Sequence, residues 1–369
     1  MIFFNVKKDK LGIVNNFKSI YISNNFCLSY RKGELFIHPS LEETPVFFGK
    51  LPLSIINRFF ANFRLTERLF RIEPRVAIEI NEEEYLISFC GSIYRVSLKD
   101  AQITKEHNYR KGMNNTLNFC EIKKINGFDD CIVYGEYWGN TKHEEVSIYA
   151  RVNKTWQKVF SFPRGKVQHI HGIITDPYRG CVLILTGDKN EESGIWIAYQ
   201  NFKDVRPLLI GSQSYRACVA FPVEEGIIYA TDSPLEKNFI AIARKEKNGW
   251  VEHVIQDIPG PCIYGTEVDG MFLFATSVEP DSRIQGMKYW FTYSLGQGVK
   301  DRYSHVILGN LDLGFKEIIR LKKDSLPMLL FQFGNIQFPS GKIKNKVIMY
   351  PVSVKKYDGK TVIYDIDED

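Results

Sequence analysis

From Val76 onward the apolar positions come in short runs of about five to eight residues, divided by polar turns. Residues 76–80, 84–89 and 92–96 are rich in Val, Ile, Tyr and Phe, side chains that fit a pleated surface better than a helix. Asn126-Gly127, Glu225-Gly226, Asp269-Gly270 and Asp358-Gly359 fall between such runs and read as tight turns. One segment breaks this pattern. Over residues 51–72, Ile55, Ile56, Phe59, Phe60, Phe63, Leu65, Leu69 and Phe70 recur mostly at threes and fours, with Arg58, Arg64, Arg68 and Arg71 between them and Pro74 beyond. That spacing predicts one amphipathic helix with a basic polar face, packed on the body of the protein. Peripheral contact of this helix with a membrane, or contact with a partner, is the alternative.

The strand runs repeat. Second-strand segments close on a small residue or Thr near an acid at Glu136, Asp188, Asp232 and Glu279. Ahead of each acid lies a strand carrying a small residue: Cys120, Gly172, Ala217 and Gly265. A third strand is expected after each acid, at residues 146–149, 194–197, 239–242 and 289–293. A fourth follows at residues 156–160, 205–209, 250–254 and 305–308. Four strands per repeat of this length are the blade of a β-propeller. The expected fold is therefore all-β, a single propeller domain over residues 1–369 with the helix inserted at 51–72. Seven blades would begin near Asn25, Val76, Leu117, His169, Tyr215, Cys262 and Leu329; six is the other count considered.

Composition narrows the partners. The 48 basic and 43 acidic residues leave a formal charge of +5. The basic residues are scattered, with neither the stripe nor the tail of a nucleic-acid binder. No apolar stretch approaches the roughly 18 residues of a membrane span. The seven cysteines form no CxxC pair and read as reduced, buried thiols. Residues 1–10 do not read as a signal peptide. The expected compartment is the cytoplasm.

Residues 152–156 and 247–250 resemble Asp-box turns of the sialidase and BNR-repeat propellers, which run Ser-x-Asp-x-Gly-x-Thr-Trp; both lack the Asp. A further resemblance covers about residues 125–285. It is carried by Gly135-Glu136-Tyr137 with Asn140, His169-Ile170-His171-Gly172, Asp176-Pro177-Tyr178, Thr186-Gly187-Asp188, Gln213-Ser214-Tyr215-Arg216, and Thr231-Asp232-Ser233-Pro234 with Asn238. This series is similar to uncharacterised bacterial and archaeal propeller proteins associated with surface-polysaccharide gene clusters. The resemblance implies a glycan context and supplies no reaction.

The repeat register places His171, Arg216, Tyr264 and Phe119 just before the small inner-strand residues, with Glu136, Asp188, Asp232 and Glu279 at second-strand ends. His169 and His171 share a strand face, because residues i and i+2 do. Arg216 offers a bidentate fork to a carboxylate. Glu136, Asp188, Asp232, Glu279, Asn140 and Asn238 can bond sugar hydroxyls, while Tyr137, Trp138, Tyr215 and Tyr264 can stack on a sugar face. The plain structural alternative is that part of this series, above all the Asp188 and Asp232 turns, only holds blades together.

The function expected is binding, with cleavage or modification left open, of an acidic sugar or polysaccharide precursor at a channel mouth. The ligand-binding set is Glu136, Tyr137, Asn140, His169, Asp188, Asp232, Asn238, Tyr264 and Glu279. A non-catalytic interaction scaffold is the first alternative. A polysaccharide lyase is the second, with His171 or Tyr215 as base and Arg216 as neutraliser of the uronate carboxylate. Four acids also permit a glycosidase, although nothing selects a pair. Sialidase activity is not expected, because Arg71-Ile72-Glu73-Pro74 lies in the helix and is not the Arg-Ile-Pro signature. His169-Ile170-His171 copies the metal-holding His-x-His pair of oligogalacturonate lyases, but further ligands are not evident. No metal or cofactor is expected.

Overall fold

Each β-rich run pairs with its neighbour in sequence, because a tight turn returns the chain antiparallel at little entropic cost. In a computed structural model describing residues 11–366 apart from Asn25, Ser40 and Glu42, this produces seven sheets. The first blade holds Lys18–Ser23, Phe26–Arg31, Glu34–His38 and Val46–Lys50, with Ser340–Gly341 added parallel to its first strand. The second holds Ala77–Asn81, Glu84–Phe89, Ser92–Ser97 and Gln102–Asn108. The third holds Cys120–Ile122, Cys131–Gly135, Val146–Val152 and Thr155–Phe162, and the fourth His169–Asp176, Cys181–Gly187, Gly194–Tyr199 and Asp204–Ile210. The fifth holds Ala217–Val223, Gly226–Thr231, Asn238–Glu246 and Gly249–Ile258, and the sixth Cys262–Val268, Met271–Thr276, Tyr303–Asn310 and Gly314–Lys322. The seventh is built from both ends of the chain: Leu11–Asn15 pairs with Thr361–Asp365 beside Lys346–Val352 and Asn335–Gln337. The fold is a seven-bladed β-propeller.

Five blades begin within three residues of the expected positions. The first does not. Its start was expected near Asn25, which lies outside the described residues, whereas its inner strand is Lys18–Ser23. The seventh begins at Asn335 rather than near Leu329, because Met328–Phe331 forms a short helix.

By contacts the chain divides into two compact units. One takes the residues up to 90, 94–104 and from 264 on; the other takes 91–93 and 105–263. In the second unit blades are buried on both faces, which is why Cys181–Gly187 is buried at every position. Ile122, Val133 and Ile148 of the third blade pack with Ile170, Ile173 and Ile184 of the fourth. Leu183, Leu185 and Ile195 pack in turn with Ala217, Ala220 and Tyr229 of the fifth.

Two local expectations are corrected. Residues 51–72 form two short helices, α1 (Ile55–Ala61) and α2 (Arg64–Phe70), and their polarity is inverted. Ile55 and Phe59 are 90% and 61% exposed, while Arg68 is 3% exposed. Arg64 and Arg68 go inward because acids meet them there, two of them from distant segments, whereas Arg71 is exposed. Arg64 pairs with Glu73 at 2.5 Å, Glu67 at 3.1 Å and Asp358 at 3.1 Å, and Arg68 with Asp324 at 2.8 Å. Periodicity marks two faces without saying which one is covered. In the sixth blade, the aromatic run 289–293 was expected as the third strand. It lies instead in α3 (Met287–Phe291) and the residues after it, inside an insertion between Met271–Thr276 and Tyr303–Asn310. The third strand is Tyr303–Asn310 and the fourth Gly314–Lys322. Among the described residues, no helix is long and apolar enough to cross a membrane.

Candidate functional site

The inner strand of the fourth blade creates the site through a bulge. His169 pairs with Gly187 and Ile170 with Thr186, but the next pair is Gly172 with Leu185, so His171 is an extra residue. A bulge re-aims its side chain, and here the imidazole lies across Gly187. A Cβ on Gly187 would come within 2.4 Å of His171 Cε1, so the position must be glycine if the ring is to lie there. The fifth blade repeats the device, with Cys218 as the extra residue between Ala217 and Val219.

Three further side chains converge on the histidines. Asp188 directly follows the second strand of the fourth blade, and its Oδ1 lies 3.3 Å from His169 Nε2 and 3.2 Å from His171 Nε2. Arg216 leaves the short turn Gln213–Tyr215 and places Nη2 2.8 Å from Asp188 Oδ1 and 3.5 Å from Asp232 Oδ2. The Cys218 thiol donates to Asp232 Oδ2 at 3.3 Å. Gln213 Nε2 donates to the Asp188 carbonyl at 2.8 Å and fixes the turn that carries the carboxylate. Tyr137 lays its ring against His169, with centroids 4.4 Å apart.

The two imidazoles are oriented by main chain. His169 Nδ1 lies 3.0 Å from the Trp138 carbonyl, and His171 Nδ1 lies 3.1 Å from the Ala217 carbonyl. A carbonyl only accepts, so each Nδ1 carries the proton. The two Nε2 atoms face one another at 2.9 Å. Burial pushes the His171 pKa down to about 4, against the pull of Asp188. Burial opposes ionisation of Asp188 as well, but the Arg216 guanidinium overrides it and holds its carboxyl well below the usual range. The cluster reaches water through Asp188, whose side chain is 34% exposed, whereas Arg216 is 13% exposed.

The remaining expected residues are placed elsewhere. Tyr215, expected as a base, packs with the apolar core between the fourth and fifth blades. His171 is 2% exposed with both ring nitrogens engaged, which leaves it poorly placed as a general base. Glu136 directly follows its strand, as Asp188 and Asp232 do. It accepts from Ser147 N at 2.8 Å and pairs with Arg110 at 2.9 Å. Asn140 staples its loop through Glu144 and Gln168, and Asn238 ties Thr231 to Ser233. Tyr264 and Glu279 belong to the other compact unit. There Tyr264 accepts from Arg75 at 3.1 Å, and Glu279 accepts from Ser277 at 2.5 Å. Glu279 stands two places beyond the position equivalent to Asp188, which Ser277 occupies.

Sequence reasoning missed Gln213 as a positioning residue, Cys218 as a neighbour of Asp232, and the pair of His143 Nδ1 with Glu192 Oε1 at 3.0 Å.

No protein-family model and no curated protein matches this sequence, so no family model supports the sialidase or BNR assignment. Solved structures do resemble it. An oligogalacturonate lyase from Vibrio parahaemolyticus aligns over 98% of this chain and 92% of its own, with a TM-score of 0.58 and 9% identity. A chain of a mitotic checkpoint complex aligns over 100% and 98%, with a TM-score of 0.51 and 6% identity. Regucalcin from Agrobacterium tumefaciens aligns over 85% and 95%, with a TM-score of 0.46 and 10% identity. At such identities the likeness to the lyase and to the checkpoint chain shows the fold alone, a β-propeller, and the seven blades are those of the sheet pairing itself.

Proposed function

We propose that the protein binds an acidic sugar or surface-polysaccharide precursor at the His169, His171, Asp188 and Arg216 cluster, and that it does so in the cytoplasm. The observation that carries this reading is the half-buried Tyr137 ring set against His169, beside the solvent-reaching Asp188. An aromatic face next to convergent donors and acceptors suits a sugar, whose rings present C–H faces and hydroxyl edges. The resemblance over residues 125–285 to polysaccharide-associated propellers agrees with this, as does an oligogalacturonate lyase among the structural neighbours. The seven free cysteines are compatible with a reducing compartment. Lyase chemistry has less support, because Tyr215 lies in the interblade core.

Calorimetric titration with galacturonate, glucuronate and their neutral parent sugars tests the proposal. Acidic sugars should bind and neutral ones bind more weakly. Tyr137→Ala and Arg216→Lys should each weaken binding, the latter by about 1–3 kcal/mol because an ammonium cannot reproduce a guanidinium fork. A second reading, an interaction scaffold, is favoured by the structural duties of Glu136, Asn140 and Asn238. It predicts no response to any sugar, with Arg216→Lys lowering the melting temperature.

A further inference from the structure

Three atoms that accept hydrogen bonds converge beside Tyr137: His169 Nε2, His171 Nε2 and Asp188 Oδ1, spaced 2.9, 3.2 and 3.3 Å apart. Main-chain carbonyls hold the proton of each imidazole on Nδ1, so both Nε2 lone pairs point into the cluster. Three such atoms repel unless something positive lies among them. Of the three atoms Arg216 pairs with Asp188 Oδ1, while its other guanidinium nitrogen donates to the Asp188 carbonyl, and with Asp232 alongside, two carboxylates stand against one guanidinium. Nearby, Glu192 is buried, and its Oε2 has no hydrogen-bond partner among the described residues.

We infer that His169 Nε2, His171 Nε2 and Asp188 Oδ1 are the ligand atoms of a divalent transition-metal site. Ligand–ligand edges of about 3.0–3.4 Å are what metal–ligand bonds of about 2.1 Å produce at octahedral or tetrahedral angles. Two imidazoles and one carboxylate suit Zn2+ or Mn2+ better than Ca2+ or Mg2+. Carbonyls that accept from the far nitrogen of each imidazole are the outer-shell arrangement that orients ligating histidines. A second trio, His171, Cys218 and Asp232, also has its donor atoms close together. It is the weaker candidate, because Cys218 already donates its proton to Asp232 and burial raises its thiol well above the ordinary value. Three protein ligands leave coordination positions for an outside group. On the acidic-sugar reading, that group is the sugar carboxylate, and the ion turns a negative cluster into one that attracts it.

The full-length protein, stripped with EDTA and dialysed into metal-free buffer, is titrated with Zn2+, Mn2+ and Co2+, and bound metal is measured by mass spectrometry. One ion per chain is expected. His169→Ala/His171→Ala should weaken binding at least about 100-fold, in line with the loss of principal ligands. His253→Ala should bind as wild type does, whereas a loss of binding on Cys218→Ser would place the ion in the second trio and overturn the inference. If the double variant is not folded by circular dichroism, the wild-type Co2+ form decides the matter. It should show ligand-field absorption and two paramagnetically shifted exchangeable imidazole N–H signals, one from each Nδ1. Absence of both, or stoichiometric binding that survives the double substitution in a folded protein, overturns the inference. Sugar titrations with and without metal keep the two proposals apart. Metal binding without a sugar response would refute only the sugar reading, and an EDTA-insensitive sugar response in a metal-free protein would refute only the ion's part in holding the sugar.

Discussion

Gly187→Ala inserts one methyl group under the His171 ring and tests how firmly the site is built. The new Cβ would lie 2.4 Å from Cε1, 2.9 Å from Nε2 and 3.2 Å from Nδ1. Ordinary carbon contacts are about 3.5–4.0 Å, so the imidazole has to move by about an ångström. That shift breaks the 3.1 Å bond to the Ala217 carbonyl, a loss of about 1 kcal/mol net, and overpacking adds about 1–3 kcal/mol. Reduced freedom of the unfolded chain returns about 0.4–1 kcal/mol. The expected net loss is about 1–3 kcal/mol in urea denaturation, together with loss of ligand binding. Gly139→Ala is the control, because nothing lies within 4 Å of its Cβ position. Its stability should stay within about 0.5 kcal/mol of wild type. If Gly187→Ala proves as stable as the control and keeps its ligand response, the ring does not lie over this glycine.

Asp176 is fully buried and accepts from Arg179 Nε at 2.5 Å, while Arg179 Nη2 donates to the Val223 and Gly226 carbonyls of the fifth blade. Asp176→Ala strands that guanidinium and should cost about 3–5 kcal/mol by chemical denaturation; a loss under about 1 kcal/mol would contradict the clamp. Burial, then the Glu73 charge, raises the Glu67 carboxyl from 4.5 to about 8. Between those values the folded chain holds a proton that the unfolded chain has released, so stability from this group falls as pH rises through that window. Glu67→Gln should flatten the fall between pH 5 and about 8, and a variant with the wild-type slope would rule it out. Ile55→Lys/Phe59→Lys changes side chains that are 90% and 61% exposed, so unfolding should shift by no more than about 1 kcal/mol. A larger loss would mean this face is covered.

Much of the architecture was legible because a blade repeats local pairings that turn chemistry and alternation specify one hairpin at a time. Thr186 and Thr231 end second strands because their hydroxyls bond the third strand of the same blade, at the Gly194 and Phe239 backbone. That duty left its mark as a repeated Thr beside an acid. What failed was long-range. Nothing near Arg64 announces Asp358, and nothing near Arg68 announces Asp324, so the buried face of α1 and α2 was read backwards. The same holds at the site. His169, His171 and Arg216 stood out as residue types, but the bulge that turns His171 toward Asp188 depends on a register between two strands. The carbonyls of Trp138 and Ala217, which set both imidazole tautomers, carry no side-chain signature at all.

Diffraction from crystals grown with Mn2+ and a uronic acid, recorded for anomalous scattering, addresses the cluster most directly. The account predicts a single anomalous peak about 2.0–2.2 Å from His169 Nε2, His171 Nε2 and Asp188 Oδ1, with sugar density against Tyr137. Two imidazoles closed on one another and on Asp188, with neither metal nor sugar beside them, would contradict it.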